Sequence, residues 1–362
     1  MNTAPRLDKL GRSFDTRFML CLRHEDIRWL SGFSGSTSQL LVDRQNREGH
    51  LFVDGRYVNR AHTEVARAGA SVTVHLLQSG TTIDDLLSDI VNGEPIEVDD
   101  THLTAAHFSR LQSRFVVRVA ASPLDDLRRV KDDQEIALIS RAADIADLAF
   151  AELLEDGLIG RTERDIRNRL EALMRERGAD AVAFDTIVAT GMNGAVPHHE
   201  PTDAVVEDGH MVVIDFGAQV QGYRSDMTRT VRVGNVSAEL LSMFAIVLEA
   251  QEAGLASVKA GVVGASVDQA VRVVYAREGV EHEYVHGTGH GIGLFIHEPP
   301  IFSPRCEAVL GPNEVVTVEP GLYRKGVGGV RIEDLVVVSD KNCRILTKTP
   351  KDLICPRSPR TI

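Results

Sequence analysis

Two pairs of acidic residues, each embedded in apolar strand-like sequence and each centred near a glycine, restrict the folding of this chain more than any other feature. "MVVIDFG" places Asp215 at the end of a buried-strand pattern, and "SDMTRTVRV" places Asp226 at the start of an alternating one. Their midpoint falls between Val220 and Gln221, beside Gly222, so a hairpin there sets the aspartates roughly opposite each other. "EVVTVEPG" and "GVRIEDLVVV" repeat the construction. Glu319 is out of phase with Val316 and Val318, Glu333 with Val330 and Ile332, and their midpoint is Gly326. Side chains directly across an antiparallel pair stand about 5 Å apart at Cβ. Buried carboxylates so close need compensation, because an unpaired buried charge is strongly destabilising. Two divalent cations balance four carboxylates. Oxygen donors with an imidazole suit Mn²⁺, with Zn²⁺, Co²⁺ and Fe²⁺ as competitors, and paired metals are a known hydrolytic device.

An imidazole is available between the two acidic pairs. "HGTGHGIGLFIHE" carries His286, His290 and His297, with glycines at every second position from Gly287 to Gly293. Histidines four apart suggest one face of a helix, but each glycine would cost such a helix roughly 1 kcal/mol. The stretch is therefore expected to be extended or looped. Taken singly, each acidic pair is what surface residues commonly look like, and a glycine-flanked histidine is commonly a loop residue. Their conjunction points to a metal centre.

The first 120 residues alternate short apolar runs with helical patterns. "FMLCLR", "SQLLVD", "HLFVDG", "SVTVHLL", "IEVDD" and "FVVRVA" read as strands, and Tyr57–Ala68, Ile83–Val91 and Leu103–Ser113 as helices. This predicts an α/β domain with a helix-covered sheet. The polar stretch "ASPLDDLRRVKDD" marks a junction, giving domains at 1–124 and 125–362. Ile136, Ile139, Ala143, Ala146, Phe150 and Leu153 step by three and four, predicting a helix from about Asp133 to Glu155. "TERD" from Thr162 and "SVDQ" from Ser266 are capping-box starts for two more helices. A fourth helix is expected from Ser237 to about Val258, and the remaining segments read as strands. The second domain is thus α+β, with helices backing a largely antiparallel sheet.

The net charge of −12 argues against nucleic-acid binding as the main activity. "MNTAPRLDKL" lacks a signal-peptide core, and no apolar run is expected to approach membrane length. Cys21, Cys306, Cys343 and Cys355 show no CxxC spacing, which fits a reducing compartment. The expected location is the cytoplasm, with no membrane and no nucleic-acid partner.

"DFGAQVQGYRSDMTRT", "HGTGHGIG", "VEPGLY" and "RIED" occur in the order and spacing of the pita-bread metallopeptidases, and the chain most resembles their proline-specific branch, aminopeptidase P and prolidase. "DIRWLSGFSGSTSQLLV" and "FVDGRYVNRA" resemble the creatinase-like N-terminal domain of that family. The resemblance implies an α/β N-terminal domain followed by an α+β pita-bread catalytic domain. Its metal ligands would be Asp215, Asp226, His290, Glu319 and Glu333, with Asp226 and Glu333 bridging. It makes Glu319 the proton carrier, His297 a partner of the tetrahedral intermediate, and His198 in "NGAVPHHEP" a further histidine near substrate, ahead of its neighbour His199. His286, Tyr323 and Arg331 match positions around the substrate. For Arg331 a salt bridge to a ligand carboxylate and a substrate contact stand as equal readings. The implied activity is a dinuclear, Mn²⁺-dependent Xaa-Pro aminopeptidase acting on proline-containing peptides, with Xaa-Pro dipeptidase (prolidase) as the alternative and a homodimer as the expected assembly. A catalytically silent binding protein on the same fold is the remote alternative. Such relatives typically lose metal ligands, and all five positions are kept here.

Overall fold

The computed structural model describes residues 3–355, so the outermost residues of both expected domains, 1–2 and 356–362, lie outside the description. The chain divides into two compact units, Met1–Arg128 and Arg129–Ile362.

The first unit runs α1 (Ala4–Gly11), β1 (Phe18–Cys21), α2 (His24–Ser31), β2 (Gln39–Asp43), β3 (Glu48–Asp54), α3 (Val58–Ala68), β4 (Val72–Leu77), α4 (Ile83–Val91), β5 (Ile96–Asp99), α5 (Ala105–Gln112), β6 (Val117–Ala120) and α6 (Leu124–Arg129), the last ending at the border of the next unit. Its strands form one mixed sheet in the order β4-β3-β2-β1-β5-β6. Phe18, Leu20, Leu41, Phe52, Ile96 and Val98 from the sheet pack with Leu87, Val91 and Leu111 from α4 and α5. The expected α/β architecture is present. Helices α1, α2 and α6, of eight, eight and six residues, add to the three expected ones. Helices this short take their stability from tertiary packing rather than from local signals.

The second unit opens with α7 (Asp133–Asp156), α8 (Glu163–Glu176), β7 (Ala181–Val182), β8 (Ile187–Thr190), β9 (Met211–Phe216), β10 (Ala218–Val220), β11 (Tyr223–Arg224) and β12 (Met227–Val233). The same order then recurs: α9 (Ala238–Ser257), α10 (Gly264–Arg277), β13 (Gly289–Gly291), β14 (Glu298–Phe302), β15 (Val315–Val318), β16 (Gly321–Arg324), β17 (Gly328–Arg331) and β18 (Asp334–Val338), followed by β19 (Cys343–Ile345) and β20 (Leu353–Cys355). Two helices and then a long, bent hairpin therefore occur twice.

Helix starts follow local chemistry in the first half. Asp132 and Thr162 close capping boxes with Glu135 and Asp165. The Ser266 start does not hold. Helix α10 begins two residues earlier, at Gly264, with no side-chain cap; its first amides are met instead by backbone carbonyls, Gly264 N–H by that of Ala308 (2.9 Å) and Ala265 N–H by that of Cys306 (3.0 Å). Helix α9 corrects a second expectation: with only Glu239, Glu249 and Glu252 charged, it is long and apolar enough to cross a membrane by length and composition. Here its Leu240, Met243, Phe244, Val247 and Ala250 pack with Val271, Val274 and Tyr275 of α10.

Period-2 alternation decides which face of each strand looks at the helices. Val212, Ile214 and Phe216 of β9, with Met227, Val231 and Val233 of β12, join Ile145, Phe150 and Leu153 of α7 and Leu170 and Leu173 of α8. Asp215, Thr228 and Thr230 consequently face away from these helices. In the second half Val316 and Val318 of β15, with Val336 and Val338 of β18, pack with Val267 of α10, which sends Thr317 and Glu319 to the opposite face.

Candidate metal centre

Both long hairpins break where they carry their carboxylates. β9 and β12 pair in one sheet, and β10 and β11 continue the same hairpin in another. Thr228 lies opposite Asp215, Met227 opposite Phe216 and Gln219 opposite Arg224, so the partner position of Asp226 is Gly217. The two aspartates are diagonal neighbours on one face, not the opposed pair expected from their midpoint. The turn explains the offset: Gln221 (φ 46°) and Gly222 (φ 82°) are both left-handed, so together they form the two-residue loop and move its centre one position along the chain. At Gly217 a Cβ would collide with the Ser225 carbonyl, which keeps the strands close beside Asp226.

The second hairpin keeps its expected register. Val318 pairs with Asp334 and Gly321 with Arg331, so Glu319 and Glu333, at the break between these ladders, lie opposite each other around Gly326. Their backbone amides leave the ladder: Glu319 N–H donates to the Thr288 carbonyl (2.8 Å) and Glu333 N–H to that of Thr228 (3.1 Å).

His290 arrives on β13, an extended strand rather than a helix. Close backbone approach is what its glycines permit: a Cβ on Gly289 would strike the Thr317 carbonyl, and one on Gly291 the Pro299 carbonyl. His290 Nδ1 lies 3.0 Å from the Gly291 carbonyl. A carbonyl only accepts, so Nδ1 carries the hydrogen and the Nε2 lone pair points at Asp226 Oδ2 (3.6 Å) and Glu319 Oε1 (3.5 Å). Burial pushes this imidazole down to about 4, keeping it neutral.

A cavity of about 510 Å³ collects nine of the ten residues singled out from sequence: Asp215, Asp226, His290, Glu319, Glu333, His286, His297, His198 and Arg331. The tenth, Tyr323, stands behind them. Its hydroxyl accepts from Arg331 NH1 (2.9 Å) and donates to His286 Nε2 (2.8 Å), while His286 Nδ1 donates to the Gly287 carbonyl (2.8 Å). Burial also holds His286 neutral, at about 4. Arg331 bonds Asp215 Oδ2 (2.7 Å), Thr228 Oγ1 (3.1 Å) and the Pro197 carbonyl (3.1 Å) as well. Its guanidinium is thus held by the protein, which realises the salt-bridge reading. His199 turns away from the cavity to Glu163 (2.8 Å), separating it from His198.

The carboxylates do not fit the protein alone. Burial, then repulsion from Glu333, Asp215 and Glu319, pushes Asp226 well above the ordinary range. Burial and then Glu319 and Asp215 do the same to Glu333. Glu319 is pushed up to about 8, by burial first, with Arg331 opposing and Asp215 adding. Asp215 Oδ1 and Glu333 Oε1 are buried without a hydrogen-bond partner. Asp226, His290 and Glu333 can present ligand atoms within 4.8 Å of one another. Orphaned oxygens, an imidazole lone pair and excess negative charge together fit divalent cations.

Sequence reasoning passed over the apolar walls, Phe184, Ile187, Pro197, Ile296 and Ile301, and Asp185 among them. Single hydrophobic residues carry no signature. It also passed over Thr228, whose hydroxyl donates to Glu333 (2.8 Å); here a signal existed, since Thr228 is two residues from Asp226 and so shares its face.

Residues 137–340 match metallopeptidase family M24, and residues 6–130 match the creatinase/prolidase N-terminal domain. An uncharacterized peptidase of Bacillus subtilis is 37% identical over 340 residues, 93% of this chain and 95% of that protein. Among solved structures, an Xaa-Pro dipeptidase from Bacillus anthracis superposes with a TM-score of 0.90 at 35% identity, covering 96% of this chain and 98% of its own. An X-Pro aminopeptidase from Thermotoga maritima gives 0.88 at 36% identity, covering 96% and 100%.

Proposed function

The chain belongs to metallopeptidase family M24, and from that premise we propose that it is an Xaa-Pro aminopeptidase, releasing the residue that precedes proline at a peptide N-terminus. What carries the reading is the cavity that gathers four carboxylates and the Nε2 lone pair of His290. Asp215, Asp226, His290, Glu319 and Glu333 would hold two divalent cations, proposed as Mn²⁺ from the oxygen-rich donor set. When bound, the cations supply Lewis acidity and lower the pKa of water.

The chain's own side chains account for the remaining tasks. Glu319 takes the proton of the attacking water and delivers it to the proline nitrogen, a leaving group that has no N–H of its own in the peptide. His297, exposed on the cavity and with its ring centroid 4.5 Å from that of His290, donates to the oxyanion. His198 contacts the substrate from the loop opposite, and the neutral imidazole of His286 lines the proline site. Arg331 orients Asp215 and Tyr323.

The choice between aminopeptidase and dipeptidase turns on what meets the far side of proline. A dipeptide presents its carboxylate there; a longer peptide presents a neutral amide. Among the described residues lining the cavity, the permanently cationic side chain is Arg331, already occupied, and the walls are largely apolar. That supports the longer substrate. Prolidase is the second reading, since similar structures carry both names. We also place the enzyme in the cytoplasm as a homodimer.

Mn²⁺-loaded protein incubated with Ala-Pro-Ala and with Ala-Pro, with free alanine followed by mass spectrometry, tests the proposal. Cleavage of the tripeptide is expected. Cleavage of the dipeptide alone would replace the aminopeptidase by a prolidase, and cleavage of neither would remove the activity altogether.

A further inference from the structure

The segment from Thr190 to Thr202 carries His198 into the cavity and offers the Pro197 carbonyl to Arg331. Its one short regular element is a 3₁₀ turn, Gly191–Ala195. Besides the Arg331 bond and the pairing of Thr190 with Val212, both ends of the segment are bonded to a carboxylate that does not line the cavity. Glu163, the first residue of α8, is 0% exposed. Its Oε1 accepts from Thr190 N–H (2.8 Å) and Asn193 Nδ2 (2.9 Å). Its Oε2 accepts from His199 Nε2 (2.8 Å), Thr202 N–H (2.8 Å) and Thr202 Oγ1 (2.7 Å). One oxygen therefore holds the incoming end of the segment and the other the outgoing end, with His198 between them. The helix start adds backbone bonds of its own, Glu163 N–H to the Ala204 carbonyl (3.0 Å) and Arg164 N–H to that of Thr202 (3.2 Å).

We propose that Glu163 is a positioning residue for His198: a buried clamp that fixes both ends of the 190–202 segment and so holds the histidine in its catalytic place. The inference rests on the peptidase reading above. An anion with no exposure needs all its lone pairs met, and here five donors meet them. Glutamine is nearly isosteric but cannot replace it. Whichever way its amide turns, an NH₂ group faces a backbone N–H that can only donate, that of Thr190 or that of Thr202, and that end of the segment loses its bond to the side chain. Displacement of a catalytic group by about 1 Å can cost about 10²-fold in rate.

The test is a double-mutant cycle on the peptide the wild-type enzyme cleaves, using Glu163→Gln, His198→Ala, His297→Ala and the two pairs built on Glu163→Gln. Glu163→Gln is expected to lower kcat about 10- to 100-fold while KM stays within about 3-fold. On the His198→Ala background it should cost less than about 2-fold more, and on the His297→Ala background its full effect should recur. Bound metal per chain should not change. Full loss on the His198→Ala background, loss of metal, or wild-type activity of His198→Ala would each overturn the inference. Asn193→Ala, which removes one donor and leaves the buried anion, serves if Glu163→Gln does not fold, with the same pattern at smaller amplitude. Amide hydrogen exchange separates this inference from the activity itself. Exchange in Glu163→Gln should accelerate over 190–202, and unchanged protection there would refute the clamp even if the wild-type protein cleaved neither peptide.

Discussion

The two bent hairpins of the catalytic unit each bring two carboxylates to the cavity, on different turns. The first closes over Gln221 and Gly222, both left-handed, and its aspartates sit diagonally. The second closes over Lys325, Gly326 and Val327, with Gly326 at φ 82° and Val327 N–H donating to the Arg324 carbonyl (3.0 Å), and its glutamates face each other. In each hairpin one carboxylate is bonded by a side chain of the other. Asp215 on the first is met by Arg331 from the second, and Glu333 on the second by Thr228 from the first. Each hairpin thus supplies a polar partner to a carboxylate of the other. The centre exists only where the two cross, which is why residues more than a hundred positions apart assemble into one site.

The largest effect should come from removing one carboxylate of the crossing. Asp226→Ala and Glu333→Ala should each lower kcat/KM by at least about 10³-fold and reduce bound metal below one ion per chain, because each takes a full charge and a ligand from the centre. Activity and metal content measured on the same preparations decide the matter. If one variant kept both and the other lost both, the hairpins would not be equal contributors.

Metal removal should reveal the stored repulsion. Asp226, Glu333 and Glu319 have folded-state values raised above the unfolded ones, Glu319 to about 8. Raised acids favour the folded state at low pH and lose that contribution as pH rises through the folded value. In EDTA the melting temperature should therefore fall between about pH 6 and pH 9, and excess Mn²⁺ should flatten the dependence. A metal-free melting temperature that held constant or rose over that range would refute the electrostatic account.

Smaller losses should follow from cutting the bonds between hairpins. Arg331→Lys keeps the charge but cannot reach Asp215, Thr228, Tyr323 and Pro197 together, and should cost about 10- to 100-fold in kcat/KM. Thr228→Val removes one hydroxyl that bridges Arg331 and Glu333 and should cost less. The reverse ranking, measured with saturating metal, would mean that the first hairpin's contribution outweighs the second's.

The two hairpins also differ in how much of each the sequence disclosed. Around Gly326 the symmetric spacing of Glu319 and Glu333 is the register itself, because the loop is centred on the glycine. Around Gly222 the same reasoning is one position off, because glycine there takes the second place of a two-residue turn, and turn chemistry rather than charge symmetry sets the register. Helices with strong periodicity or a capping box, such as α7 and α8, were legible; α1, α2 and α6, held by packing, were not. The proposed ligand residues and surrounding histidines stood out because glycine and charge flanked them. Glu163 did not, since a glutamate in "TERD" also reads as an ordinary first-turn residue, and its importance lies in five donors that come together only in three dimensions.

The smallest predicted effect tests that turn directly. Gln221 holds φ 46° without being glycine, a conformation that costs most L-residues about 1–2 kcal/mol and asparagine less. Asn-Gly is also the preferred pair for a turn with both central residues left-handed. Gln221→Asn should therefore stabilise the catalytic unit by about 0.5 kcal/mol, with no change in kcat/KM, since Gln221 is exposed and does not line the cavity. Gly222→Ala should destabilise by about 1 kcal/mol, because alanine must enter the region that glycine occupies freely. Denaturant midpoints for the two variants read the difference. If Gln221→Asn proved destabilising, the two-residue turn would be refuted, and with it the register that sets Asp226 against Gly217 instead of Asp215.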